Sequence, residues 1–520
     1  MSKSEIIQKY QQHPKIGQIA EFFASRKKIN ATGLVGSSLS FVIDALFKKS
    51  ELPFLLLFND KEEAAYYLND LEALINNQDV LFYPGSYRRP YQIEETDNAN
   101  VLLRAEVLNR INSRKKPAII VSYTDAIYEK VVTRKELDKN TLKLSVNDKL
   151  SIDFINETLF EYHFKRVDFV SEPGEFSVRG GIIDVFSFSN DVPYRIEFFG
   201  DEIDSIRTFD IETQLSKEKV TKIAIIPNVE NKILQENREN FLDYISEKTV
   251  IVLQNTDLLG GKLDRLFEKA KEAYSKLTLT IHHAKPEELF VNQETFLKRA
   301  LDFSIIELDK NPVFKSEKIF EFYTQPQPSF NKQFDLLMNN LNDNFHNGIK
   351  NYLFSSNENQ AKRFKEIFKD IDEDAAIDVK DKYENIVFPL FSGFIDSELQ
   401  IACYTDHQIF ERYHKFSIKN NASKKQTVTL KELTALSIGD YVTHIDHGIG
   451  KFGGLQKIQV EGKTQEAIKL VYADNDIVYV SIHSLHKISK YTGKEGTAPK
   501  IYKLGSGVWK ALKQKTKARV

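Results

Sequence analysis

The first stretch whose residue types and spacing could do chemistry is Gly33-Leu34-Val35-Gly36-Ser37-Ser38-Leu39-Ser40. A phosphate-binding loop needs Gly, four residues, Gly, Lys and then Ser or Thr. Its backbone N–H groups cradle the phosphates, the ammonium neutralises them and the hydroxyl meets the metal. Counted from Gly33, Ser38 stands at the second Gly, Leu39 at the Lys and Ser40 at the hydroxyl. The cationic anchor is gone, so the turn is expected to connect a strand to a helix and to hold an anion weakly at most. His444 and His447 have HxxH spacing but no nearby thiol and no HExxH helix, which leaves a turn-fixing role. His282 and His283 are neighbours that would point apart on a strand. Asp474-Asn475-Asp476 opens like a calcium loop and then lacks its Gly and bidentate Glu. Cys403, the single cysteine, lies in an apolar run and reads as a small hydrophobe. With no Ser/His/Asp set to assemble, the residues predict no catalytic centre, no metal site and no cofactor in this chain.

Two longer constellations read as binding surfaces. Between 164 and 210, Arg166, Arg179 and Arg195 punctuate alternating β segments, with Glu197, Asp201 and Glu202 close behind. Arginine forks suit bidentate recognition of a partner's carboxylates, and they equally suit an internal Arg–carboxylate network. From Gly439 to Tyr491, Lys451, Lys457 and Lys469 alternate with apolar residues. A strand that keeps Leu455 and Ile458 near a lysine-rich edge could pair with a strand of an acidic partner. The same lysines could instead guard the edge against aggregation.

Those residues need elements to hold them. The chain has 520 residues, enough for three or four domains, and its 41% hydrophobic and 28% charged content is that of a folded soluble protein. Apolar runs at 54–58, 80–83 and 118–121, separated by helical patterns at 62–75 and 99–111, predict βαβ units and a mainly parallel sheet. Short β runs at 182–188, 194–199 and 203–209 predict an α+β module over 131–215, inserted into an α/β domain built from 1–130 and 216–325. The host pattern resumes with a strand at 250–253 and a helix at 258–274. A second, small α/β domain of unassigned role is expected over 330–415. Its strands are at 351–355, 386–389 and 399–404, with a helix at 359–368. A polar linker at 416–434, a small twisted β-barrel at 435–495 and a basic helix at 500–520 complete the expected architecture. After residue 415, 18 Lys and Arg stand against 8 Asp and Glu, while the whole chain carries −2, so a basic C-terminal part follows an acidic remainder. That asymmetry predicts an acidic partner, nucleic acid or protein. The longest apolar run has five residues, against ~20 for a membrane span, and the N-terminus lacks a secretory pattern, so a cytoplasmic location is expected.

The two binding constellations resemble the N-terminal half of the bacterial transcription-repair coupling factors. The run Arg166-Val-Asp-Phe-Val-Ser-Glu-Pro-Gly-Glu-Phe-Ser-Val-Arg179-Gly-Gly-Ile-Ile-Asp-Val-Phe186, continued by Pro193-Tyr-Arg-Ile-Glu197-Phe-Phe-Gly-Asp-Glu-Ile-Asp-Ser-Ile-Arg207, is similar to the UvrA-binding module that this family shares with UvrB. Gly439-Asp-Tyr-Val-Thr-His-Ile-Asp-His-Gly-Ile-Gly-Lys-Phe-Gly-Gly454, with Tyr479-Val-Ser-Ile-His-Ser-Leu-His-Lys-Ile-Ser-Lys-Tyr491, resembles the CarD-like domain through which the family binds RNA polymerase. The resemblance spans nearly the whole chain, though 330–415 match by position more than by motif.

The resemblance implies a degenerate UvrB-like P-loop domain at Gly33, Gly36, Ser38, Leu39 and Ser40. It implies UvrA contacts at Arg166, Arg179, Phe186 and Glu197, and contacts to the polymerase β subunit by strand addition at Lys451, Phe452, Leu455, Lys457 and Ile458. Ser177 stands where UvrB-like modules often carry a further Arg, and 82–95 are too short for the DNA-gripping hairpin of UvrB. The family's two motor domains, which use ATP and magnesium and translocate on double-stranded DNA, are not expected here. The chain is therefore expected to be a non-enzymatic adaptor for nucleotide excision repair, cut inside or just after a connecting helix. Alternatives are a UvrB-like ATP-dependent DNA-binding enzyme and a CarD-type transcription regulator.

Overall fold

The computed structural model describes residues 2–75, 79–86, 91, 98–113, 116–188, 190, 192–211, 213–227, 238–277, 284–375, 379, 381–411, 437–444, 447–460, 463–481, 488–490, 499 and 501. The chain divides into two compact units, 1–139 with 229–419 and 140–228 with 420–520.

The first unit is α/β. Its larger sheet has seven strands, in the order Lys318–Glu321, Lys28–Thr32, Ser304–Glu307, Val250–Leu253, Phe54–Phe58, Ile119–Tyr123 and Val80–Tyr83. Every neighbouring pair is parallel. Parallel strands are covered on both faces, which is why they are continuous apolar runs rather than alternating ones. Phe54-Leu55-Leu56-Leu57-Phe58 is buried along its whole length, as is Val250–Leu253. Two distant segments of chain build this sheet, since Val250–Leu253 pairs in register with Phe54–Phe58 on one side and Ser304–Glu307 on the other. The helix Lys61–Leu74 starts where Asp60 caps it, its carboxylate accepting the Glu63 N–H at 2.9 Å. Helices Asn98–Ser113 and Thr256–Ser275 lie where apolar periodicity places them.

The same unit contains a five-stranded mixed sheet, in the order Thr324–Pro326, Phe394–Asp396, Ile401–Thr405, Lys350–Ser355 and Tyr383–Val387. The last three strands are parallel neighbours and the first two pairings are antiparallel. Helices Phe334–His346 and Glu358–Ala375 cover a core that includes Leu337, Leu341, Leu353, Phe364 and Tyr404.

In the second unit, residues 142–225 form a six-stranded sheet and a small two-stranded one. The six strands run in the order Ser216–Val220, Glu202–Phe209, Tyr194–Phe199, Ile182–Val185, Glu175–Arg179 and Lys165–Arg166. Lys222–Ile225 pairs with Leu142–Ser145. The insertion therefore runs over 140–228 rather than the expected 131–215. Val131–Val132 stays with the first unit by pairing with Arg238–Glu239. The far bound was hidden because Ser216-Lys-Glu-Lys-Val220 has one apolar residue and is an exposed edge strand, held by backbone pairing that leaves no hydrophobic pattern.

The C-terminal part is an antiparallel sheet in the order Ile477–Ser481, Lys463–Val471, Gly448–Val460, Tyr441–His444 and Ile488–Lys490. Val442, Phe452, Ile468, Leu470, Tyr472, Val480 and Ile488 make its core. The long strand shifts register between Phe452 and Leu455, where Gly454 takes φ +90°, so a bulge bends it. Closure of this sheet into a barrel is not among the described pairings. The expected linker at 416–434 lies outside the described residues, as does the basic tail at 500–520 apart from Ile501. Among the described residues no helix is long and apolar enough to cross a membrane.

Candidate functional site

The glycine turn of the first unit is filled from within the protein. Gly33, at φ +79°, passes so close to Phe322 that a Cβ would overlap its carbonyl oxygen. Gly36, at φ +53°, faces Ser392, whose Oγ would lie 2.7 Å from a Cβ. The Ser37 N–H, at the start of helix Ser38–Ser50, donates to the Ser392 carbonyl at 3.2 Å, and the Ser392 N–H donates to Ser37 Oγ at 3.1 Å. A backbone carbonyl thus occupies the helix-start position that an anion would take. The Ser38 hydroxyl turns back to the Val35 carbonyl at 2.6 Å, and Leu39 is buried in the core. The Ser40 hydroxyl donates to Asp70 at 3.0 Å. Asp70 is buried, and its other oxygen accepts the Phe391 N–H at 3.0 Å. Burial pushes its carboxyl up to about 7, against the pull of hydrogen bonds from Ser37, Phe391 and Ser40. The Phe391 ring stacks on Tyr66 at 5.4 Å and meets Tyr67 edge-on at 4.8 Å. Residues 391–393 therefore seat in the turn, and all three of its hydroxyls are already used.

The inserted module carries a polar face, and strand register decides which residues share it. Ser177 lies opposite Asp184, Asp184 opposite Arg195, Arg195 opposite Arg207 and Arg207 opposite Lys219. One row along, Arg179 and Glu197 flank Ile182. Alternation puts these residues on one side of the sheet while Phe176, Ile183, Ile196 and Ile206 are buried on the other. Asp184 is fully buried and gathers both arginines. Arg195 grips it through Nε at 2.7 Å and Nη2 at 2.9 Å, and Arg179 adds a short contact through Nη2. The Arg195 guanidinium lies over the Phe209 ring, 4.8 Å from its centroid, and its pKa is raised chiefly by the Asp184 hydrogen bonds. Arg179 lies 5.3 Å from the centroid of Phe169 and keeps 40% of its side chain exposed, against 16% for Arg195. Glu197 accepts from Arg207 at 2.9 Å and from Ser205 at 2.6 Å while staying partly exposed.

Arg166 is exposed on its short edge strand and makes no ion pair among the described residues. Phe186 is buried with Val170 and Phe209 in a small core on this same side, so it supports the face from below. Ser177 is buried too, its hydroxyl donating to the Asp168 carbonyl at 3.1 Å. The sequence left open whether the arginines serve a partner or an internal network. Arg195 is committed internally, and Arg179 is shared between Asp184 and solvent. Asp184, a lone acid inside the apolar run Ile182-Ile183-Asp184-Val185, is the organising residue that spacing alone did not single out. Its signal was that isolation, at the same strand parity as Arg195.

In the C-terminal sheet, Lys451 is exposed, with its ammonium 5.6 Å from the Tyr441 ring centroid. Phe452 is buried in the core and holds the strand from inside, so a partner cannot reach it. Leu455 is 47% exposed just after the bulge. Lys457 and Ile458 lie opposite Glu466 and Gln465 in the strand register, and their side chains fall outside the described residues. Beyond the bulge, 455–460 pair only with Lys463–Val471 among the described pairings, so their other backbone edge has no described partner. The two HxxH histidines stack at 4.6 Å, and the His447 N–H donates to His444 Nδ1 at 3.3 Å, which ties the turn.

The described residues thus give an inserted sheet with an arginine face and a separate sheet with one strand edge that has no described partner. Residues 142–230 match the UvrB interaction domain and 436–492 match the CarD-like/TRCF RID domain. Along its length the chain resembles the N-terminal half of transcription-repair-coupling factors. It is 26% identical over 559 residues to that of Bacillus subtilis (strain 168), covering 94% of this chain and 47% of the relative. It is 25% identical to that of Haemophilus influenzae, covering 88% and 45%, and 24% identical to that of Staphylococcus haemolyticus, covering 99% and 49%. The chain spans about half the length of the curated relatives it matches.

Proposed function

We propose that this chain is a cytoplasmic, non-enzymatic adaptor that recruits UvrA through the module at 140–228 and holds the β subunit of a stalled RNA polymerase through the sheet at 437–490. The observation that carries the reading is the arginine face of a matched UvrB interaction domain, where Arg179 is pinned by buried Asp184 yet keeps 40% of its side chain exposed. A guanidinium held in one orientation loses little freedom on meeting a second carboxylate, which is what an interface anchor requires. Glu197 adds a partly exposed anion to the same face, and Arg166 adds an exposed cation on the edge strand, at the register position of Phe176. On the polymerase side, the open edge at 455–460 with exposed Leu455 suits strand addition. Joining two docking sites on one chain raises the effective concentration of repair proteins at the polymerase.

The filled glycine turn supports the absence of ATP hydrolysis in the first unit, since Ser392 occupies the anion position and Ser40 is spent on Asp70. In this reading ATP, magnesium and most double-stranded DNA contacts belong to the motor part of the family, outside the matched length.

The test is calorimetric titration of the chain with purified UvrA, beside an Arg166→Glu/Arg179→Ala variant whose circular dichroism matches the parent. Parent binding that the variant weakens at least tenfold supports the adaptor. A parent chain that does not bind UvrA refutes it.

A further inference from the structure

The two β-hairpin tips at one end of the inserted sheet differ in what they expose. The first tip is Gly180-Gly181, between Arg179 and Ile182; the second is Gly200-Asp201, closed by Phe199 opposite Glu202. The Phe198 N–H donates to the Gly181 carbonyl at 2.8 Å, so the tips are bonded side by side. A Cβ on Gly180 or Gly200 would meet nothing within 4 Å, so this end of the sheet is open. Gly200 takes φ +63° at the first central position of a two-residue hairpin loop, a conformation that turns the strands tightly.

Phe199 stands at that tip with 85% of its surface exposed, the highest exposure among the large hydrophobic residues described. It makes no ring contact among the described residues. The module had apolar positions within reach, since its neighbours Ile196, Ile203 and Ile206 are all buried. A phenylalanine held in water on a short, hydrogen-bonded hairpin has no role in folding that its surroundings reveal. By alternation along Tyr194–Phe199 it lies on the same side as Arg195 and Glu197, one step beyond the row that holds Arg179.

We propose that Phe199 is the apolar anchor of the arginine face, seating in an apolar pocket of the protein that binds there while Arg179 and Glu197 pair with polar groups at the pocket's rim. Interfaces concentrate their binding in a few large, desolvated anchors, and aromatic side chains on rigid supports fill that role with little loss of freedom. This inference rests on the reading of the face as the UvrA site.

The experiment uses the full chain. Phe199→Ala is expected to keep the parent's melting temperature, because the ring is hardly packed, and to weaken UvrA binding tenfold or more in calorimetry. Phe199→Leu is expected to fall between. A Phe199→Trp variant, with the single native Trp509 replaced by Phe, supplies a direct probe. Its emission, corrected for UvrA alone, should shift to the blue on adding UvrA. If the parent binds and Phe199→Ala binds equally well, or the Phe199→Trp emission stays that of an exposed indole in the complex, the anchor is refuted while the adaptor reading stands. If the parent does not bind at all, the adaptor reading fails and the anchor with it.

Discussion

Asp70 offers a pH test of how the glycine turn is sealed. Its carboxyl is buried, makes no ion pair among the described residues, and is pushed from an ordinary 3.8 to about 7 by burial. A folded-state value above the unfolded one means the folded protein binds the proton more tightly. The contribution is therefore fully present below about pH 4 and is lost as pH rises through about 7. At 1.36 kcal/mol per tenfold, the full loss is about 4 kcal/mol, of which about 2–3 kcal/mol falls between pH 5 and 7.5. Asp70→Asn keeps the shape and the acceptor for the Phe391 N–H, and its amide can donate to Ser40 once that hydroxyl rotates. The advantage of the variant over the parent should therefore grow by about 2–3 kcal/mol between pH 5 and pH 7.5, roughly 5 °C in melting temperature. His407 lies nearby, a ring nitrogen 2.8 Å from the Phe391 carbonyl. Because it is common to both chains, it drops out of the difference between them. The assay is calorimetric melting of parent and variant at half-unit steps from pH 5 to 8. Parallel curves for the two chains would refute the assignment of a proton to buried Asp70.

Two further perturbations separate support from contact. Asp184→Ala removes the buried carboxylate that holds Arg195 and Arg179, and should destabilise the inserted module by about 3 kcal/mol, the low end for broken buried pairs because Arg179 can turn to water. Urea unfolding checks the stability, UvrA titration should weaken in step, and an unchanged midpoint would mean the pair is idle. Leu455→Glu should abolish binding of the purified polymerase β subunit while leaving UvrA affinity unchanged, because Leu455 is exposed on a separate sheet. A variant that still captures the β subunit in a pull-down would remove that strand from the contact.

What the amino-acid order determined by itself is local. Phe54–Phe58 and Val250–Leu253 had to be buried strands, because five and four consecutive apolar side chains leave no face for water. Asp60 had to start a helix, because its carboxylate reaches the Glu63 N–H three residues on. The motif runs from Arg166 and from Gly439 marked the two modules, because a linear pattern needs no fold to be read. Tertiary structure alone decided how distant segments complete one another. The seal on Gly33–Ser40 comes from Phe391–Gly393, more than 350 residues along the chain, and nothing in the turn announces it. The division of labour between Arg195 and Arg179 rests on their unequal distance from solvent around one buried carboxylate. Phe452 and Leu455 looked alike as apolar residues on one strand, yet Phe452 is buried in the core and Leu455, past the bulge at Gly454, is 47% exposed. In each case side-chain chemistry was legible, and exposure was not, because exposure is set by which chain segment lies across the gap.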